Sequence, residues 1–94
     1  MNEFIVKIFK SLSDPTRYSI VKFSLTKKEL SCQELSKKFS LSQPALSHHF
    51  SKLIEAKIIN VRKKGIAKYY SINKAYLKKI GIDITKIIQK GEKL

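Results

Sequence analysis

Ninety-four residues are enough for one domain with one modest core, and not for two. No stretch approaches the roughly 20 apolar residues that a membrane span needs, and the lone cysteine, Cys32, rules out an intramolecular disulfide or a thiolate-rich metal site within one chain. Twenty Lys+Arg against seven Asp+Glu leave a formal charge of +13, which suits a polyanionic partner that sheds condensed counterions on binding. A solvated lysine face or an AT-rich genome produces the same excess, and charge alone does not separate DNA from RNA or an acidic membrane surface. The opening Met1-Asn2-Glu3-Phe4 carries an acid where a secretion signal carries positive charge, so a cytoplasmic protein is expected.

Residues 2–12 read as a first helix with Phe4, Ile5, Ile8 and Phe9 on one face, spaced i, i+1, i+4, i+5. Ser13-Asp14-Pro15 is a break and a restart: Asp14 caps the next helix, and Pro15 at its first position gives up only an N–H that lacks a helical acceptor. Ile20, Val21, Phe23 and Leu25 carry that second helix to about residue 28. Ser31 with Glu34 three residues later is a capping box, opening a short third helix whose inward positions are Leu35 and Phe39. Ser40-Leu41 is a turn, and Ser42 caps a fourth helix, residues 42–57, with Pro44 inside its tolerant first turn. Two short helices joined by a tight turn are the outline of a helix-turn-helix.

After residue 57 the period changes from 3.6 to 2. Residues 58–61 and 67–72 are rich in β-formers, and Arg62-Lys63-Lys64-Gly65 joins them, which predicts a two-stranded β-hairpin with a cationic tip. Asn73 caps a helix from residue 74 to about 80, Gly81 interrupts it, and Ile82, Ile84, Ile87 and Ile88 carry a further helical stretch to about residue 90. The order predicts an α+β fold, mainly α: one winged helix-turn-helix domain over residues 1–94.

The fourth helix carries the functional reading. With about 100° per residue and Leu46 at zero, Phe50 falls near 40°, Leu53 near 340° and His49 near 300°, forming one stripe. Pro44, Ser47, His48 and Ser51 fall between about 100° and 200°, on the opposite side. That outward face is small, polar and free of acid until Glu55, whereas other solvent faces in the chain are rich in lysine. The candidate DNA-reading set is therefore Ser42, Gln43, Pro44, Ser47, His48, Ser51 and Lys52. Gln43 can bond adenine, serines can bond purines or phosphate, and His48 can donate to a guanine acceptor or a phosphate. Free amides at the helix N-terminus add a phosphate site. A merely solvated helix face is the competing reading. His49, on the apolar stripe, reads as a packed, hydrogen-bonded histidine, and the angle between neighbours keeps His48 and His49 from chelating as a pair.

Arg62, Lys63 and Lys64, with Lys68 on the returning strand and no acid from Val61 to Tyr70, suit a wing lying on the phosphate backbone or in the minor groove. In isolation the same residues read as a charged, solvated turn. No acid–base pair, glycine-rich phosphate loop or activated nucleophile points to an enzyme, and no cofactor is expected.

From residue 12 to residue 73 the chain resembles the ArsR family of bacterial and archaeal winged-helix repressors. The resemblance rests on Leu12-Ser-Asp14-Pro15-Thr16-Arg17, on Glu29-Leu30, on Leu41-Ser-Gln43-Pro-Ala-Leu-Ser47-His48-His49 with Leu53 and Ala56, and on Tyr69-Tyr70-Ser-Ile-Asn73. Each motif alone is weak, and the ordered set is specific. The resemblance implies a homodimer, formed largely by residues 1–12 and 74–94, that binds a twofold-symmetric operator in double-stranded DNA and represses by blocking transcription. It places Ser42, Gln43, Ser47 and His48 at reading positions and residues 62–68 in the wing. Phe4, Ile5, Ile8 and Phe9, with Leu77, Ile80, Ile84 and Ile87, would then be dimer contacts; as intramolecular core they would look the same, and both readings stand.

Departures from the family narrow the regulation. Members that sense soft metals place two cysteines in the third helix, either side of one residue; here the run is Ser31-Cys32-Gln33, so both ligand positions are lost. Members that sense zinc through the last helix use Asp and His pairs, but no histidine follows His49 and Asp83 is alone. Such metals require thiolate or imidazole, so no metal is expected. Lys57 also replaces the glycine common after the reading helix, which predicts a slightly different exit turn. Two alternatives remain: Cys32 at a helix N-terminus as a redox-responsive thiol, against a plain buried residue, and a basic RNA-binding module using Tyr69 and Tyr70 for base stacking.

Overall fold

Five helices of the structure, a computed structural model describing residues 3–94, begin on a side chain that accepts from the first turn. The elements run α1 Glu3–Leu12, α2 Pro15–Ser24, β1 Leu30–Ser31, α3 Cys32–Phe39, α4 Gln43–Glu55, β2 Ile59–Lys64, β3 Ala67–Ile72, α5 Lys74–Lys79 and α6 Ile84–Glu92. Asp14 accepts from the Arg17 amide at 2.9 Å, Ser42 from Ala45 at 3.2 Å, Asn73 from Tyr76 at 3.4 Å and Asp83 from Lys86 at 3.1 Å. At α3 the expected capping box is complete: Ser31 Oγ accepts from the Glu34 amide, and the Glu34 carboxylate accepts from the Ser31 amide, both at 3.2 Å. Each cap satisfies a donor that the first turn otherwise leaves without a partner.

The second helix is shorter than its apolar pattern predicts, ending at Ser24. Thr26 and Lys27 amides turn to Phe23 and Ser24 carbonyls three residues back, and Thr26 Oγ1 donates to Phe23 O at 2.7 Å. A hydroxyl that bonds local backbone offers an alternative to continuing the helix. The chain then straightens into β1, two residues too short to show a period, which pairs Leu30 with Tyr70 and Ser31 with Tyr69. The sheet is thus three-stranded and antiparallel, in the order β1-β3-β2, with the expected hairpin as two of its strands. Strand β2 extends through Lys64, so Arg62, Lys63 and Lys64 lie in a strand and not in the loop. The loop is the pair Gly65-Ile66, with Gly65 at φ 63, the arrangement of a type II′ turn matched to strand twist.

The core is contributed by every helix and by the sheet. Ile8 from α1, Ile20 and Val21 from α2, Leu35 from α3, Leu46, Phe50 and Leu53 from α4, Leu77 from α5 and Ile84 and Ile88 from α6 are buried against Leu30, Ile59 and Tyr70. Three candidate dimer contacts are thereby corrected: Ile8, Leu77 and Ile84 are 0%, 0% and 3% exposed within one protomer, leaving no surface for a partner. They hold α1, α5 and α6 onto the rest of the fold. The exit from α4 also keeps the geometry that glycine would give. Lys57 sits at φ 60, and the Lys57 and Ile58 amides bond Ile54 O at 2.9 Å and Leu53 O at 3.0 Å, a Schellman arrangement. Lysine tolerates this strained position while its ammonium lies 4.5 Å from the Phe4 ring centroid and 5.2 Å from that of Tyr76.

The Arg17 amide, helped by the charges of Arg17 and His49 and opposed by partial burial, holds the Asp14 carboxyl below its ordinary pKa. Such a lowered group stabilises the fold above the usual aspartate range and stops doing so as pH falls through its folded value. Asp14→Ala should therefore cost about 1 kcal/mol at neutral pH. Denaturant melts of parent and variant should converge in acid.

Candidate nucleic-acid interface

The exposed face of α4 is the one the helical projection assigns. Leu46, Phe50 and Leu53 are buried, while Ser42, Gln43, Pro44, Ser47, His48, Ser51 and Lys52 are exposed together on the other side. Glu55, at the far end, is the only carboxylate on α4. The turn before the helix is fixed by Ser40 in the left-handed region at φ 52 and by Ser36 Oγ donating to Leu41 O at 2.8 Å. At the other end Ser11 Oγ donates to Lys52 O at 3.1 Å, tying α1 to α4.

His49 is half-buried, as its place on the apolar stripe requires, but the expected hydrogen bond is absent. Its buried Nδ1 has no hydrogen-bond partner and lies 3.9 Å from Asp14 Oδ2. That oxygen also accepts from the Arg17 amide at 2.9 Å. The His48 and His49 rings are 5.9 Å apart at 63°, splayed as neighbours on a helix must be.

Phe50 and Tyr70 join the helix to the wing. Their rings stack at 3.9 Å between centroids and 2° between planes. Burial, with a smaller contribution from Cys32, pushes the Tyr70 hydroxyl pKa up. Cross-strand register then sorts the wing cations by face, because paired residues point the same way. Lys63 pairs with Lys68, on the side that carries Val61 and Tyr70; Arg62 pairs with Tyr69 and Lys64 with Ala67, on the other side. Two lysines directly opposite one another repel, a cost that a bound anion relieves.

Arg62 stands apart from the lysines. Its Nε donates to Glu29 Oε2 and its Nη2 to Glu29 Oε1, both at 2.9 Å, and its guanidinium lies 4.9 Å from the Tyr69 centroid. The guanidinium holds the Glu29 carboxyl below its ordinary pKa, and Glu29 in turn raises that of Arg62. The sequence gives no sign of this pairing, since Glu29 and Arg62 meet only through the register of β1, β3 and β2. Both tyrosines make ring contacts within the fold: Tyr70 stacks on Phe50, and Tyr69 lies against the Arg62 guanidinium.

Of the remaining apolar candidates, Phe4, Ile5, Phe9 and Ile87 are exposed at 45%, 36%, 63% and 56%, and Ile80 is half-buried. Cys32 is half-buried at the start of α3 and packs against the core. Among the described residues no group of three His, Cys, Asp or Glu side chains is arranged to hold a metal ion, and no helix is long and apolar enough to cross a membrane.

A helix-turn-helix domain family matches residues 12–62. The transcriptional repressor SdpR of Bacillus subtilis is 33% identical over 85 residues, covering 90% of this chain and 93% of its own. The arsenical resistance operon repressor of Staphylococcus xylosus is 39% identical over 70 residues, covering 74% of this chain and 66% of its own. HlyU of Vibrio cholerae superposes with a TM-score of 0.70 at 30% identity, over 85% of this chain and 94% of its own. With a helix-turn-helix followed by a β-hairpin, the chain is a DNA-binding transcriptional regulator of the winged helix-turn-helix class, and not an enzyme. It belongs to the ArsR family of repressors, as the motifs from residue 12 to residue 73 imply.

If the Phe50–Tyr70 stack seats the wing on α4, Tyr70→Ala should destabilise the protein by about 3 kcal/mol in denaturant titration, in the range of buried aromatic truncations. Hydrogen exchange should rise in β2 and β3 more than in α1.

Proposed function

We propose that the protein is a homodimeric repressor that binds a twofold-symmetric operator through α4 and the β2–β3 wing, without a metal ion. The observation that carries this reading is the exposed α4 face: Ser42, Gln43, Ser47, His48 and Ser51, small and hydrogen-bonding, with no acid among them. A helix entering the major groove needs such a face, because bulk or a carboxylate would hold it off the base edges and the phosphates. Lys52 at its side and Lys63, Lys64 and Lys68 on the wing supply phosphate contacts that fix the register without reading sequence.

Dimerisation is supported by the apolar side chains that the protomer leaves outside its core. Phe9 of α1 and Ile87 of α6 are more than half exposed. A protomer extending 36 × 27 × 21 Å is about as large as the roughly 34 Å that separates half-sites one DNA turn apart. The absence of metal regulation is supported by Ser31-Cys32-Gln33, which offers one thiol where two are needed, and by the lack of histidine after His49.

Selection of bound sites from random duplex DNA, with the mass of the complex, tests the whole reading: a palindromic consensus held by two chains is expected. Ser47→Ala combined with His48→Ala should erase the sequence preference while leaving the circular dichroism spectrum unchanged; retained preference would overturn the role of α4. Phe9→Lys should convert a dimer to a monomer in analytical ultracentrifugation and weaken operator binding at least tenfold, without altering the α4 face.

A further inference from the structure

The chain has two arginines, and both are tied into the fold by hydrogen bonds. Arg17 Nε donates to Ser11 O at 3.0 Å, and Arg62 is held in the two-pronged contact with Glu29. The route of that contact is set by the sheet. Ser31, Tyr69 and Arg62 lie side by side on one face across β1, β3 and β2, and Glu29 immediately precedes β1. Its carboxylate therefore reaches diagonally over β3 to Arg62, whose guanidinium is laid on the Tyr69 ring. Both oxygens and two of the guanidinium nitrogens are used, the geometry in which arginine would otherwise grip a phosphate or a guanine edge.

We infer that Glu29 is a specificity-determining residue: it occupies Arg62 and so withholds the wing's only arginine from the DNA backbone. The inference rests on the wing reading above. A chain of net charge +13 binds any duplex through its phosphates, and that affinity competes with operator binding. Arginine is the cation best shaped for such contacts. Pairing it with one of only seven acidic residues lowers the sequence-independent contribution while leaving Lys63, Lys64 and Lys68 to position the wing. Of the ion pairs among the described residues, this one alone is joined by two hydrogen bonds.

The test is the salt dependence of binding to a random-sequence duplex, measured on the full chain for Glu29→Gln, Arg62→Ala, the double variant and Lys63→Ala. Release of Arg62 in Glu29→Gln should steepen the slope by about one phosphate contact, so that between about 50 and 200 mM salt it loses about threefold more affinity than the parent. It should bind random duplex more tightly at low salt and discriminate the operator less. Arg62→Ala should leave the parental slope unchanged, and the double variant should return to it. A slope unmoved by Glu29→Gln, with only a lowered Tm, would reduce the contact to a structural strut and overturn the inference. So would an Arg62→Ala slope flattened as much as that of Lys63→Ala. If Lys63→Ala itself leaves the slope unchanged, the wing reading fails and the inference with it.

Discussion

The stack of Phe50 on Tyr70 is the contact on which the placement of the proposed DNA-binding surface depends. Phe50 belongs to the same apolar stripe as Leu46 and Leu53, so its position fixes which side of α4 is turned outward. Tyr70 is the middle of β3, paired on one side with Leu30 of β1 and on the other with Val61 of β2. One pair of rings, 3.9 Å apart and parallel, therefore couples the rotation of α4 to all three strands. Aromatic pairs add only about 1 kcal/mol beyond the area they bury, yet this one joins the two parts of the proposed DNA-binding surface. The Ser11–Lys52 and Ser36–Leu41 hydrogen bonds pin the two ends of the same helix.

Around that joint the charges are divided by task. On the proposed reading, the nearly neutral α4 face selects by hydrogen-bonding shape, and the wing carries point charges on lysines, whose attraction to phosphate is long-ranged and indifferent to sequence. Lys63 and Lys68 oppose one another across the hairpin, which the isolated fold tolerates at a cost. A surface optimised for folding alone would not place them so. Among the acidic residues, Asp14, Glu34 and Asp83 cap helices, and Glu29 pairs with Arg62.

Local chemistry was legible in the sequence wherever one segment decides the outcome. Ser31 with Glu34, Asp14 before Pro15, and Ser42 before Gln43 set helix starts through contacts three residues away, and the angular projection sorted α4 correctly down to the half-buried His49. Whatever depends on register was not. Strand β1 exists because Tyr69 and Tyr70 have a free edge, not because Leu30-Ser31 prefers extension. The hairpin closes at Gly65-Ile66 rather than over four residues because β2 and β3 pair out to Lys64 and Ala67, and so Arg62 lies in a strand within reach of Glu29. His49 Nδ1 stops 3.9 Å from the Asp14 carboxylate that caps α2, a distance set by how α2 and α4 pack.

The terminal helices illustrate the same limit in the apolar pattern. A face of isoleucines and phenylalanines at helical spacing states that something must be covered, and not by what. Burial divides the set within single helices: Ile8 is fully enclosed one residue from Phe9, which is 63% exposed, and Ile84 and Ile88 are enclosed either side of Ile87, which is 56% exposed. Burying a side chain such as Phe or Ile is worth about 1.5 to 3 kcal/mol, which Phe9 and Ile87 forgo in the single chain and would recover in the proposed dimer. The inner residues hold α1 and α6 in place and leave the outer ones on the surface, which supports the proposed pairing with a second copy. Neither Phe9 nor Ile87 lies on α4 or the wing, so the proposed dimer surface and the proposed DNA-binding face are carried by different elements.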